Sequence, residues 1–234
     1  MKNLKWEAAI IAVGIILLGY LLKIGIDDIA NKDRFVSVKG LAEREVMADK
    51  VVWPLAYKDI GNDLVSLYNN INTKNKAIVE FLKSKGVSNE ELDIAPPQVI
   101  DMQAERYNSN PSPYRYNITS IITVTSKDVT KIRKIMSEQM ELLRQGIAVA
   151  GGSDYQYNAV YSFTSLNSLK PKMIEEATKN ARAVAEKFAK DSGSKLGKIQ
   201  SASQGQFTID DRDGNTSYIK EVRVVTTVNY FLKN

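Results

Sequence analysis

The chain contains no histidine and no cysteine, and those two gaps remove much of the chemistry a protein can perform alone. A Cys nucleophile, a His general base, a Ser-His-Asp triad, a zinc site built on His or Cys and covalent haem attachment all need one or both residues. Anchoring through a lipidated N-terminal Cys is closed as well. Carboxylate pairs, Lys, Tyr, Ser acting with Lys, or a hard cation held by oxygen are what remain. No disulfide can form, and at 234 residues none is needed, because a domain of about 200 residues buries roughly 70% of its unfolded surface.

Runs of like charge are missing too. The chain has 32 Lys and Arg against 27 Asp and Glu, a net charge of +5. In the first 33 residues Lys2, Lys5, Lys23 and Lys32 are matched by Glu7, Asp27, Asp28 and Asp33. The whole excess therefore lies beyond them, interspersed with acidic residues, which is not the footprint of a nucleic-acid-binding surface. We expect no nucleic-acid partner. A mildly basic surface does suit anionic headgroups near a membrane anchor, and 44% hydrophobic with 25% charged residues is the composition of a folded chain.

What the chain does have is one long uncharged run. Ala8 to Leu22 carries no charge over 15 residues, and if Lys23 snorkels the apolar stretch reaches Ile26, 19 residues in all. As a helix this spans about 28 Å, close to the hydrocarbon thickness of a bilayer. It is apolar all round, as a lipid-immersed helix requires. A cleaved signal peptide is the competing reading, but cleavage needs small residues at the first and third positions before the cut. Ala30 is spoiled by Asp28 and Gly25 by Lys23. The expectation is an uncleaved signal-anchor over 1–26, in contact with the membrane through residues 8–26, a linker over 27–34 and a domain over 35–234. With Lys2 and Lys5 retained inside, the domain is exported to the periplasmic or extracellular side.

Beyond the linker, strand and helix periodicities alternate. FVSVK (35–39) alternates, and Val46 to Asp59 reads as a strand with Val51, Trp53, Leu55 and Tyr57 on one face. Pro54 lacks an N–H, which places that strand at an edge or a bulge. Leu64, Leu67, Tyr68, Ile71, Ile78 and Phe81 predict an amphipathic helix over 62–85, stopped by Gly86. Leu92 to Glu105 and Tyr114 to Thr125 read as strands flanking a long loop, RYNSNPSPYRY. A second helix follows over 128–145, then a strand region over 147–163 broken by Gly151 and Gly152, a third helix over 170–191, and two strands, 197–209 and 216–232, joined by DDRDGN. The fold class is α+β, a mostly antiparallel sheet with about three helices on one face, preceded by one N-terminal transmembrane helix.

The most specific stretch is ARAVAEKFAKDSGSKLGKI, residues 181–199. Ala177, Ala181, Ala185 and Ala189 recur every four residues, a small-residue ridge that lets a helix backbone approach a sheet. Gly193 sits where a left-handed cap is wanted. This stretch resembles the signature of the SIMPL-domain family, bacterial envelope proteins of poorly defined function. VSVKGLAEREVMADKVVW, FLKSKGVSNEELDI, a Tyr-bearing hairpin and a closing VRVVTTVNYFL match the same family in order, over most of residues 35–232. The sequence departs at Ala48-Asp49, where the family usually carries Pro-Asp. The motif positions are structural in type, so the resemblance implies no catalytic residues. It implies an exported protein with helices on an antiparallel sheet and self-assembly into a larger oligomer.

Candidate chemistry is thin. DDRDGN has acidic residues around Gly214, but with Gly214 as the sixth residue of a calcium loop the first ligand would be Ile209 and the twelfth Lys220. A hairpin turn is the better reading. Ser192-Gly-Ser-Lys195 has the S-x-x-K spacing but ends a helix instead of starting one. Glu43, Glu45, Asp93 and Glu175 read as surface charge unless the fold pairs them as a glycosidase would. No catalytic, metal or cofactor residues are assigned, and no cofactor is expected. Arg106, Tyr107, Tyr114, Arg115 and Tyr116 form a candidate interface, since Tyr and Arg are enriched at hot spots and the loop lies outside the core.

The leading expectation is a non-enzymatic module associating as a homo-oligomer or with envelope proteins. A carboxylate-dependent hydrolase of envelope glycan or peptide needs two buried acids facing one pocket. A small-ligand-binding protein needs an apolar pocket, for which the Tyr-rich stretch Tyr155 to Phe163 is the place to search.

Overall fold

The computed structural model describes residues 4–31, 34–104, 113–150 and 157–233. The first element is the helix α1 (Leu4–Asn31). Within it Trp6–Ile26 is long and apolar enough to cross a membrane, with mean hydropathy 2.4 and no part buried inside the protein. At about 1.5 Å per residue this span measures about 31 Å, enough for a bilayer core. The remainder is α+β, its sheets built from antiparallel pairs wherever a register is defined. The strands divide between two sheets, and the chain divides into two compact units: 1–44 with 167–209 and 221–234, and 45–166 with 210–220.

The second unit holds most of the core. Its sheet runs β3-β5-β2-β6, with β4 also on β5, from β2 (Lys50–Gly61), β3 (Leu92–Ile94), β4 (Gln98–Asp101), β5 (Tyr116–Ser126) and β6 (Val160–Ser162). The face predicted for β2 is the buried one: Val51, Trp53, Leu55 and Tyr57 are all 5% exposed or less. Their partners across the ladder include Val124 and Ile122. On this face lie α2 (Leu64–Ser84) and α3 (Val129–Ser137), which contribute Leu67, Ile71, Ile78, Ile132 and Ile135 to one cluster. The 3.6-residue periodicity of α2 therefore does what an amphipathic pattern must.

Several boundaries move for local reasons. The helix expected over 128–145 breaks into α3 and a short α4 (Met140–Arg144). The strand expected over 92–105 becomes β3 and β4, interrupted by Pro96 and Pro97, neither of which can donate to a ladder. β2 is central, not an edge strand. Pro54 faces Thr123 on the β5 side; on the other side, among the described residues, β6 pairs with Lys50–Val52 and an isolated bridge joins Ala56 to Ala150. Of the strand region 147–163, that bridge and β6 are what the described residues retain; Gly151, Gly152 and Tyr155 lie outside them.

In the other unit, α5 (Leu166–Asp191) buries Met173, Ala177, Ala181, Ala185 and Ala189, so the alanine ridge is its inward face. The sheet there has the order β1-β9-β7, with β8 on β9, from β1 (Phe35–Met47), β7 (Lys195–Gln204), β8 (Thr208–Asp211) and β9 (Ile219–Lys233). Val38, Ala181, Ala185, Val228 and Tyr230 pack as its core. α5 starts four residues earlier than Pro171 suggests. The carboxylate of Asp49 accepts the N–H groups of Thr164 (2.7 Å) and Ser165 (2.8 Å) just ahead of it, and a proline this near a helix start removes only one internal bond.

Among the described residues the three with positive φ, Gly86, Gly146 and Gly193, occupy the same position past a helix end. After α5, Gly193 donates to Lys190 O (3.1 Å) and Ser194 to Ala189 O (2.8 Å), the paired bonds of a Schellman cap. Gly86 and Gly146 repeat the pattern with Val87 and Ile147 as the buried following residue.

Candidate functional site

Of the predicted interface, Arg106 and Tyr107 lie outside the described residues; Tyr114, Arg115 and Tyr116 fall at the start of β5. Arg115 is tied down. Its Nε and Nη2 both donate to Asp101 Oδ2 (3.0 and 2.9 Å), its backbone N–H donates to Asn62 Oδ1 (2.8 Å), and its guanidinium lies 5.0 Å from the Tyr116 ring centroid. The hydrogen bond from Arg115 is the main reason the Asp101 carboxyl sits below its usual range. Tyr116 turns inward against the core cluster, and Tyr114 is 42% exposed. The three residues thus split between an inward aromatic, a locked cation and an outward aromatic.

Beside them is a row that sequence reading missed. Asn117 is opposite Ile60 on one neighbouring strand and Ile100 on the other. Directly paired residues share a sheet face, so the two isoleucines flank Asn117 on the face opposite the core. Both are about half exposed, while the Asn117 Oδ1 is buried without a hydrogen-bond partner among the described residues. The signal available in sequence was phase: Ile60 is out of step with Val51, Trp53, Leu55 and Tyr57.

The acidic candidates are scattered. Glu43 pairs with Arg223 (3.3 Å), Glu45 with Arg212 (3.3 Å) and Glu175 with Lys179 (2.5 Å), and Asp93 is exposed in β3. Among the described residues no group of three acids is placed to hold a metal. Among the described residues each carboxyl with a displaced pKa is displaced downward: Asp49, Asp63, Glu91, Asp101, Glu138, Glu175 and Asp213. A general acid requires the opposite direction. In DDRDGN, Asp213 accepts from Thr216 Oγ1 and from the N–H groups of Asn215 and Thr216, holding its carboxyl at about 2. Its oxygens are spent on the turn, and Gly214 does not take a positive φ. The Ser192 hydroxyl donates to Ala189 O (3.0 Å), as a helix cap does, and serves no lysine.

Of the Tyr-rich stretch, Tyr155 lies outside the described residues, and the tyrosines within them make packing contacts. Tyr157 lies beneath the Lys58 ammonium (5.9 Å). Tyr161 packs edge-on against Tyr218 (6.2 Å) with its hydroxyl on Met136 Sδ (3.4 Å), and Arg133 covers the Tyr218 ring at 3.3 Å. The apolar space lies elsewhere. A cavity of about 230 Å³ opens between α2 and β4, walled by Leu64, Tyr68, Ile71, Pro97, Val99 and Ile118. A separate depression of about 400 Å³ is lined by Asn72, Asn75, Lys76, Val79, Glu80 and Lys83 of α2 and by Ile94.

A family model named SIMPL and described as a protein of unknown function (DUF541) matches residues 36–228. No curated protein matches the chain.

Proposed function

The chain belongs to the SIMPL family, and we propose that it is a membrane-anchored module whose folded part stands outside the cytoplasm and works by association, with itself or with neighbouring envelope components. Support for the anchor is Trp6–Ile26. Support for the orientation is the charge asymmetry of its flanks, Lys2 and Lys5 before the span and Asp27 and Asp28 after it.

The observation that carries association is the Ile60–Asn117–Ile100 row with Tyr114 at the same end of the sheet. Exposed aliphatic side chains beside an aromatic and a pre-positioned Arg are the composition of an interface centre. The scattered, downward-shifted carboxylates favour association over hydrolysis.

The test is the native mass of the membrane-extracted full chain, with and without Ile60→Asp and Ile100→Asp. An oligomer that dissociates in the double variant is expected. A monomer at micromolar concentration with no crosslinked partner overturns the reading. Orientation is open to a direct assay, because a cysteine placed at exposed Glu90 would be the chain's single thiol. An impermeant maleimide should label it in intact cells.

A further inference from the structure

Two depressions lie along α2 and share no lining residue: one near its N-terminal end against β4, the other along its C-terminal half against Ile94 of β3. The opposite wall is the sheet edge β3–β4, broken at Pro96 and Pro97. The two stretches of α2 are centred about ten residues apart, or about 15 Å at a helical rise.

Chemistry changes along that length. At the β4 end the cavity is almost wholly carbon and offers nothing to hydrogen-bond. A peptide strand there would bury backbone N–H and C=O groups unpaired, at about 1–3 kcal/mol each, whereas a hydrocarbon chain has no such cost. The N-terminus of α2 offers no anion site beside this cavity, because the Asp63 carboxylate already accepts from the N–H groups of Val65 and Ser66 (3.2 Å each). At the β3 end two ammonium groups, Lys76 and Lys83, stand with one carboxylate, Glu80. None of the three is ion-paired among the described residues, unlike Lys74, which is spent on Asp59 (2.8 Å).

We propose that the two depressions together hold a single-chain anionic amphiphile, its hydrocarbon tail between α2 and β4 and its acidic head over Lys76 and Lys83. A pocket of this size takes a short chain or the end of a longer one, and the excess cation selects head charge through a solvent-exposed contact that salt weakens.

The experiment uses the full chain in nanodiscs of zwitterionic phosphatidylcholine, with dodecanoic acid carrying a mid-chain diazirine as the probe and dodecanol bearing the same group as control. Adducts are mapped by peptide mass spectrometry. Labelling within residues 64–71 and 97–99, competed by unlabelled dodecanoate, is expected. Val99→Asp, at a half-exposed site, should abolish it, and Leu64→Asp serves if the first variant melts early. Lys76→Glu with Lys83→Glu should lower labelling by the acid about fivefold or more while leaving labelling by the alcohol unchanged. Adducts confined to Trp6–Ile26, equal labelling by acid and alcohol that ignores both lysines, or copy-to-copy crosslinks through residues 64–71 would each overturn the assignment.

Discussion

Gly40 of β1 and Ala181 of α5 approach so closely that a Cβ on the glycine would stand 2.5 Å from the alanine's backbone nitrogen and 2.8 Å from its Cβ. The atoms in the way are largely backbone, including Ala177 O, so no side chain can swing aside. The alanine ridge and the glycine are two halves of one contact. Gly40→Ala should therefore cost about 3 kcal/mol or prevent folding, since overpacking against backbone exceeds the usual penalty of inserted methyls. Gly214→Ala, with nothing within 4 Å of the new Cβ, should change stability by no more than about 0.5 kcal/mol. Urea denaturation of the two variants beside the parent checks both.

Ala48 lies in the connection between β1 and β2. It is 4% exposed and its N–H donates to Tyr218 O at 2.9 Å. Ala48→Pro removes that donor and leaves a carbonyl short of a partner. A loss of about 1–3 kcal/mol is expected, read as a lower denaturation midpoint with unchanged slope. Asp49 should be nearly as sensitive: Asp49→Ala frees two N–H groups at the start of α5 and should cost about 1–2 kcal/mol.

Glu91 supplies a pH-dependent contribution. Burial raises its pKa, but the Ser126 hydroxyl, the Ser88 N–H and the Lys131 ammonium together outweigh burial and bring it from 4.5 to about 2. A folded-state pKa below the unfolded value means stability fully present above about pH 4.5 and lost as pH falls towards 2. Glu91→Gln should cost on the order of 2–3 kcal/mol at pH 7. The gap between variant and parent should close across that acid window, as denaturation at a series of pH values will report. A gap that stays constant down to pH 2 would remove Glu91 from this role.

Tyr57 works at the alkaline end. Its hydroxyl is buried beneath α2, within 2.9 Å of Ile71 O and Asn75 Oδ1. Desolvation, opposed by Ser120 and aided by the Asp59 charge, pushes it up to about 12. The neutral phenol is what the fold holds, so the contribution is complete below pH 10 and lost between 10 and 12. Tyr57→Phe should cost about 1–2 kcal/mol at pH 7 and should flatten this part of the alkaline unfolding curve.

Much of this architecture was legible in the sequence because the relevant signals are local. The alternation of Val51, Trp53, Leu55 and Tyr57, the spacing of Leu67, Ile71 and Ile78, and the glycines at 86 and 193 each act within a few residues. The candidate surface was less legible. Tyr114 and Arg115 were found by composition, but Ile60 and Ile100 are 40 residues apart and become neighbours of Asn117 only through strand register. For a small ligand the sequence pointed to Tyr155 to Phe163, part of which lies outside the described residues, and gave no sign of the depressions beside α2. Aromatic content says nothing of whether rings line a space or, like Tyr161 and Tyr218, fill it against each other.

By itself the sequence determined the apolar span at the N-terminus, the α+β class, the family, and the absence of histidine and cysteine chemistry, because composition and short-range periodicity are properties of the chain before it folds. Tertiary structure decided the rest. It divided the strands between two sheets, put β2 at the centre of one with Pro54 opposite Thr123 of β5, spent acidic side chains on surface ion pairs and turns, and left a carbon-lined space between α2 and β4. These outcomes depend on which distant residues come into register, and register is set by the summed packing of both faces, which no single segment encodes.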